Sequence, residues 1–589
     1  MKDFFKYTLA TVLGLIVAGI IFTVIGIASL AGMIASTSGS ETVVKDNSIF
    51  VLDLSGTVEE RYQSSPIDQL MGDRINTSGL DDILASIRKA KDNEKIKGIY
   101  LNAGALACSP ASLEAIRNAL LDFKESKKFI VAYGGAYTQS TYYLASVADK
   151  IAVNPSGSIG WHGLASQTMF LKDLLDKLGI EMQIFRVGTY KSAVEPFIGT
   201  EMSEANREQT QAFLNSIWGQ IVNGVSVSRN IPADSLNSMA DRNMDLQPAG
   251  TYVQTGLADT LMYKDQVLAY LKELTGCEED DNLNTLDLED MINVKRNVPK
   301  DKSGNIIAVY YAYGEIDGST SSMNDEGINS EKVIKDLRKL REDENVKAVV
   351  FRVNSPGGSA YGSEQIWREV SLLKEKKPVV VSMGDYAASG GYYISCAADW
   401  IVAEPTTLTG SIGIFGYVPN TEKLVTGKLG LHFDVVKTNR LADMGDITRP
   451  FTEDEKALMQ NMVNKGYELF TKRCADGRNI PIDELKKIAE GRVWTGSMAK
   501  DLKLVDELGG IDKAMDEAVK RAGIENYTVV SYPEPGNFLT SLLETKADNY
   551  INGRLEENFG EYYEGFKFLK NLKDADRLQA RMPFMLTIN

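Results

Sequence analysis

The strongest constraint on this chain is that it repeats itself. Ile87 to Leu101, IRKAKDNEKIKGIYL, aligns without a gap on Leu337 to Phe351, LRKLREDENVKAVVF, at a spacing of 250 (347 minus 97 for the shared lysines). The register continues through Tyr142-Tyr143 against Tyr392-Tyr393, and through Asp149 to Pro155 against Asp399 to Pro405. It returns in Gly157-Ser-Ile-Gly160 against Gly410-Ser-Ile-Gly413, and in Arg229-Asn-Ile-Pro232 against Arg478-Asn-Ile-Pro481. A period this long means two copies of a whole domain rather than a solenoid of short units.

Each copy opens on a strand-like run, Ser48 to Leu54 and Ile306 to Tyr311. A charged amphipathic helix follows, then strands near Gly98 to Leu101 and Ala348 to Val353, then a small-residue elbow. Strands alternating with helices predict right-handed crossovers, hence an α/β fold with mainly parallel sheets covered on both faces. Thr452 with Glu455 three residues on predicts a capped helix over Ala457 to Phe470. The organisation read from these signals is an N-terminal segment 1–45, a first repeat 46–276, a polar acidic linker 277–304 with Pro299, a second repeat 305–540 and a tail 541–589. An insertion from Val58 to Gly79, longer than its counterpart, reads as a mobile loop or an assembly surface. The tail has no partner in the first copy, and nothing in it reads as chemistry.

With 589 residues, 43% of them hydrophobic and 24% charged, each copy has ample material for a core. The net charge of -16, with no basic footprint, excludes a nucleic-acid partner and disfavours anionic substrates. From Tyr7 to Ala35 the chain is apolar, broken only by Thr, Ser and Gly, with Lys2 and Lys6 before it and no basic residue after it until Lys45. That length and asymmetry predict an uncleaved transmembrane helix with a cytoplasmic N-terminus and the remaining chain on the outer side. A signal peptide cleaved near Ala35 is the alternative, and either exports the bulk of the protein. Cys108, Cys277, Cys396 and Cys474 lie far apart, without a CxxC or a histidine at ligand spacing, so neither a disulfide framework nor a zinc site is expected. Cys396 reads as a small buried hydrophobe.

Duplicated domains can divide the work of one site, which makes the differences between copies informative. In the second copy Ala387-Ala388-Ser389-Gly390-Gly391 stands between the β-branched run Val379-Val380-Val381 and a helix-like segment, Tyr392 to Ala398. A serine at such an elbow is exposed beside backbone N–H groups, which suits a nucleophile; tight packing of helix on sheet accounts for the small residues equally well. Gln139 stands opposite Ser389. The turn Asn354-Ser355-Pro356-Gly357-Gly358 stands opposite Gly104 to Cys108, and its glycines, with Gly390, allow N–H groups to point at an oxyanion. The first copy contributes Lys191, within Arg186 to Pro196, where the counterpart Arg440 to Gly445 has no lysine. Such a lysine is either a solvated surface charge or, if burial lowers its pKa, a base for a hydroxyl. Only His162 and His432 are available to a Ser-His-Asp arrangement; both fit ordinary structural positions, although His162 follows the first GSIG and stays a candidate neighbour of the site.

Taken together, TYKSAVEPF around Lys191, NSPGGS from Asn354, GDYAASGGYY around Ser389, TLTGSIGIFG from Thr407 and GRVWTGSMA from Gly491 resemble the signal peptide peptidase A family in its long, two-domain form. The likeness covers about residues 1 to 540. It implies tandem domains of the Clp protease and crotonase fold, and a membrane-anchored bacterial serine protease of the inner membrane with its catalytic part on the periplasmic side. By the same resemblance Ser389 is the nucleophile, Lys191 the general base and Ser411 a hydroxyl that orients the lysine, with main-chain N–H groups of Gly357 or Gly358 and of Gly390 as the oxyanion hole. No metal or organic cofactor is implied. The expected partners are signal peptides and other unfolded apolar peptides, the lipid bilayer, and further copies of the chain in a homotetramer. A catalytically silent envelope scaffold and a crotonase-like acyl-CoA enzyme are the competing readings.

Overall fold

A computed structural model describes residues 41–62, 77–296, 301–317, 327–533 and 578–582, together with helical positions between 6 and 26. The first repeat contains β1 (Ser48–Glu59), β2 (Thr77–Gly79), β3 (Ile96–Ala107), β4 (Phe129–Tyr137), β5 (Lys150–Ile159), β6 (Glu181–Arg186) and β7 (Thr260–Leu261), and β8 (Thr285–Leu286) follows. Apart from β6 these form one sheet in the order β2-β1-β3-β4-β5-β7, with β8 beside β1 and every pair parallel. Parallel neighbours need a crossover over a face of the sheet, and helices Leu80–Asp92 and Pro110–Lys124 supply the first two. In the earlier helix the buried apolar residues are Leu80, Ile83, Leu84, Ile87 and Ala90, the spacing of one helical face. Asp81 and Asp82 open it and Lys89 and Lys91 close it, the order that suits the helix dipole.

The second repeat has the same plan. Its strands are β9 (Ile306–Tyr313), β10 (Val346–Ser355), β11 (Gly357–Ser359), β12 (Val379–Ala388), β13 (Trp400–Ala403), β14 (Leu408–Gly410), β15 (Phe415–Asn420), β16 (Val493–Thr495), β17 (Glu507–Leu508) and β18 (Thr528–Tyr532). The sheet runs β16-β14-β12-β10-β9-β18, with β13 joining β12 to β17, and only the β14–β16 pair is antiparallel. Residues 379–383 and 348–353 are buried without a break, as strands covered on both faces require. The helix expected at Ala457 to Phe470 lies inside a longer one, Glu453–Arg478, which starts at the Thr452/Glu455 capping box. The acidic connection is more than a tether, since β8 extends the first sheet and helix Leu288–Asn293 follows it.

A third, antiparallel sheet joins the repeats. Its order is β11-β19-β15-β6, where β6 comes from the first repeat, β11 and β15 from the second, and β19 (Leu578–Arg581) from the tail. The tail, expected to be without chemistry, thus lies against the glycine turn. Among the described residues no helix is long and apolar enough to cross a membrane, and much of the expected anchor between Tyr7 and Ala35 lies outside them. Residues 63–76 of the insertion also lie outside.

Polar contacts lock the two halves together. Arg352 of β10 donates to both carboxylate oxygens of Glu60, at 2.6 and 3.2 Å, and each side chain is only 5% exposed. Asp385 of β12 accepts from the Ser112 N–H and hydroxyl, both at 2.8 Å. Glu60→Ala leaves the guanidinium buried without its counter-charge, and we expect a loss of about 3–5 kcal/mol in unfolding free energy, read from urea denaturation. A loss under about 1 kcal/mol would mean that the pair is solvated in solution.

Candidate active site

β12 ends at Ala388, and the chain turns at Ser389 into the helix Gly390–Ser395. Ser389 has φ 54 and ψ -111, a conformation L-residues rarely hold. Two main-chain bonds impose it: its N–H donates to the Gly410 carbonyl at 2.8 Å, and its carbonyl accepts from Tyr393 N–H at 2.8 Å. The hydroxyl does not cap the helix it precedes, which leaves it available to another partner. Of the two readings of the small residues, the tight packing is seen directly, because a Cβ on Gly391 would lie 2.5 Å from the Ser355 carbonyl oxygen; the serine, expected to be exposed, is buried.

The partner arrives from the other repeat. β6 pairs with β15 from Glu181↔Asn420 to Arg186↔Phe415, and this carries the following residues toward the elbow. Lys191 sits beyond the end of β6, in the turn that opens the 3-10 segment Ser192–Val194. The turn is clamped from both repeats. Gln209 Nε2 donates to the Tyr190 carbonyl and to Ser192 Oγ, each at 3.0 Å, while Tyr190 N–H donates to the Glu490 carbonyl at 3.0 Å. Lys191 Nζ lies 2.7 Å from Ser389 Oγ, 3.1 Å from Ser411 Oγ and 3.1 Å from the Ser411 carbonyl oxygen. The lysine is fully buried, and burial pushes its pKa well below the ordinary lysine value, favouring the neutral amine.

Ser411 also has a positive φ, 48, and its N–H is tied to the Arg492 carbonyl at 2.7 Å. Gly357 and Gly358 have φ 103 and 152, and Ile316 brackets them, donating to the Gly357 carbonyl at 2.9 Å and accepting from Ser359 N–H at 2.7 Å. Gly357 N–H is directed to Ser355 Oγ at 3.2 Å. Gly358 stands opposite Ala580 of β19. A Cβ on Gly357 would lie 2.0 Å from the Ala580 carbonyl oxygen and 2.8 Å from Gly390 N, so the three glycines and that carbonyl share one small space.

Neither histidine bonds to Ser389 or Lys191. His162 is partly exposed, 3.8 Å from Asp245, on a loop whose N–H groups at 162 and 163 are held by Gln139, the residue opposite Ser389. His432 is exposed. The described residues contain no cluster of three or more His, Cys, Asp or Glu that could hold a metal ion, and all four cysteines are free.

The profile of peptidase family S49 matches residues 122–278 and 371–525. Protease 4 of Salmonella typhi is 36% identical over 86% of this chain and 84% of its own length. The chloroplastic serine protease SPPA of Arabidopsis thaliana is 32% identical over 87% of this chain and 76% of its own. The chain belongs to peptidase family S49. It is therefore a serine protease with the family domain present twice, as the repeat in the sequence led us to expect. Among solved structures, ClpP1 from Listeria monocytogenes aligns over 34% of this S49 peptidase and 91% of its own chain at 18% identity, with a TM-score of 0.22. The first matched segment of the peptidase holds Lys191 and the second holds Ser389, Gly390 and Ser411, while Gly357 and Gly358 lie between the segments.

Three contributors escaped the sequence reading: Gln209, Gly491 and β19. Gly491 had a signal, since it opens the quoted GRVW motif. It has φ 80, and a Cβ there would lie 2.7 Å from Lys191 Cβ. Gly491→Ala must strain the backbone or shift the lysine stem. A displacement of about 1 Å costs on the order of 100-fold in rate, so we expect kcat to fall by about that factor with KM little changed, as steady-state kinetics will show.

Proposed function

We propose that the peptidase cleaves peptide bonds with a Ser-Lys dyad, Ser389 acting as nucleophile and Lys191 as general base. The observation that carries this reading is the 2.7 Å contact between Lys191 Nζ and Ser389 Oγ, made across the two repeats. A neutral amine has two N–H bonds and one lone pair. Directing the N–H bonds to the two oxygens of Ser411 leaves the lone pair facing the Ser389 hydroxyl, which is the orienting role proposed for Ser411. Ser389 gives its proton to Lys191 and attacks the substrate carbonyl carbon. The N–H groups of Gly358 and Gly390 then hold the oxyanion; Gly357, whose N–H is engaged by Ser355, supplies the turn. The lysine passes its proton to the leaving amine, and water drawn to the same base releases the acyl group.

The substrates we propose are signal peptides and other unfolded apolar peptides. The gap between β11 and β15 receives an extended strand antiparallel to both, so main-chain bonds bind the peptide and small or apolar side chains fill alternate sites. We further propose that the apolar stretch from Tyr7 to Ala35 anchors the peptidase as a single-pass protein of the inner membrane, with both repeats on the periplasmic side, and that copies assemble as a homotetramer. These points rest on the sequence resemblance and on the lysine asymmetry around that stretch.

The test uses the full chain in detergent micelles with a fluorophosphonate probe and a synthetic signal peptide. We expect labelling of Ser389 and cleavage of the peptide. An unlabelled, properly folded chain would favour the silent scaffold, and saturable CoA binding the acyl-CoA reading. Retention in the membrane fraction after alkaline carbonate extraction checks the anchor.

A further inference from the structure

A lysine can take the Ser389 proton only if its amine stays dry and faces the hydroxyl, and the residues beside it, Thr189, Tyr190 and Ser192, impose neither condition locally. The conditions come from the second repeat, whose segment Glu490 to Arg492 lies along the turn. A Cβ on Gly188 would lie 2.4 Å from the Glu490 carbonyl oxygen, and that oxygen accepts from Tyr190 N–H at 3.0 Å. Gly491 packs on the stem of Lys191. Glu490 and Gly491 have φ 54 and 80, two left-handed residues in succession, and the next carbonyl, that of Arg492, accepts from Ser411 N–H at 2.7 Å. The backbone of Arg492 thus holds the residue that bonds to the lysine amine.

Its side chain holds the lysine's neighbour. Arg492 Nη1 donates to the Tyr190 hydroxyl at 3.0 Å and Nη2 to Glu208 Oε1 at 2.9 Å, while the Tyr190 hydroxyl donates to Glu208 Oε2 at 3.2 Å. Three side chains from two repeats therefore close one ring of hydrogen bonds. The guanidinium also lies over the rings of Tyr190 and Trp494, 4.6 Å from each centroid. Trp494 is fixed in turn, since its Nε1 donates to the Ile488 carbonyl at 3.0 Å and a Cβ on Gly410 would lie 2.7 Å from its Cδ1. Among the described residues the Nε of Arg492 is buried with no hydrogen-bond partner. A buried donor left unpaired costs free energy, so stability alone is a poor reason for an arginine here.

We propose that Arg492 is a positioning residue for the dyad: its carbonyl fixes Ser411, and its guanidinium, acting through Tyr190, seats the turn that carries Lys191 and keeps water from the amine. The inference rests on the Ser-Lys reading above. The charged groups around the turn are Arg186, which donates to the Lys191 carbonyl at 3.3 Å, Glu195, 3.8 Å from Arg186, Glu490, whose carboxylate accepts from Thr189 N–H at 3.3 Å, Glu208 and Arg492 itself. Among the described residues Nζ bonds to Ser389 and Ser411, and burial is what lowers its pKa. Loosening the turn has two consequences. The amine moves out of line with the hydroxyl, and the water that enters restores part of its affinity for a proton, so the pH at which it becomes a base rises.

Steady-state hydrolysis of a synthetic signal peptide by the full chain in detergent micelles, followed as a function of pH, tests this. Arg492→Lys keeps the charge and loses the planar fork, so a shift measured there reports packing rather than charge. We expect kcat to fall by about 10- to 100-fold with KM within about twofold of the parent, and the rising limb of kcat/KM to move up by about one pH unit. Tyr190→Phe keeps the ring and loses the hydroxyl, and should move kcat and the limb in the same directions by less. Added to Arg492→Lys, it should change kcat by less than about twofold, because the two side chains act through one contact. A limb that stays at the parent's pH in either variant overturns the inference, whatever the loss in kcat, since a purely structural arginine would leave it there. If circular dichroism shows Arg492→Lys unfolded, the limb of Tyr190→Phe decides alone. The Ser-Lys reading survives an unmoved limb as long as Lys191→Met abolishes it. A limb that persists in Lys191→Met, or a parent chain without turnover, overturns both.

Discussion

Ser389→Ala should lower kcat for peptide hydrolysis by at least about 10,000-fold, the scale seen when a nucleophile that works with its base is removed. The fold should survive. Alanine adopts φ 54 no less readily than serine, and the bonds to the Gly410 carbonyl and from Tyr393 N–H are main-chain bonds that the substitution leaves alone. Lys191 keeps both oxygens of Ser411. Circular dichroism and size-exclusion profiles should therefore match those of the parent chain while fluorophosphonate labelling disappears. Residual turnover within about tenfold of the parent would show that another group attacks the substrate.

Lys191→Met should be nearly as damaging, by about 1,000-fold or more in kcat, because methionine fills the buried channel without offering a lone pair to the hydroxyl. Arginine should not rescue it, since a guanidinium stays protonated and cannot accept the serine proton. The pH dependence carries the sign. Burial lowers the lysine pKa below 10.5, so kcat/KM should rise with pH as the amine loses its proton, and this limb should vanish in Lys191→Met. Stability moves in the same direction. Below 10.5 the unfolded chain protonates this lysine while the folded site disfavours the charge, so the burial cost is greatest at low pH and fades as pH approaches 10.5. The stability difference between Lys191→Met and the parent chain should shift in the parent's favour between pH 7 and pH 10. A difference that does not change with pH would mean that the lysine keeps its ordinary pKa in the folded protein.

Much of the architecture was legible because it is written in local periodicity. The β-branched run at 379–381, the strand at 348–353 with the amphipathic helix before it, and the Thr452/Glu455 cap are short-range patterns, and the elements formed where those patterns fall. The elbow at Ser389 was legible for the same reason. Lys191 was visible as a difference between copies and in the TYKSAVEPF motif; its burial and its setting in a turn were not, because local spacing around it resembles that of a surface loop. Gln209 was invisible for a related reason: a polar residue on a long helix reads as solvated until the turn it clamps is packed against it.

The amino-acid sequence by itself determined the duplication, the α/β class and the distribution of a hydroxyl to one copy and an amine to the other. The tertiary structure decided that these groups meet, 198 residues apart, because β6 of one repeat completes its hydrogen bonding on β15 of the other. It also decided that a segment of the tail fills the remaining gap between β11 and β15. Open strand edges take whichever backbone satisfies their N–H and carbonyl groups while burying the right side chains. That choice depends on which edges the packed repeats leave facing each other, which no short stretch of residues encodes.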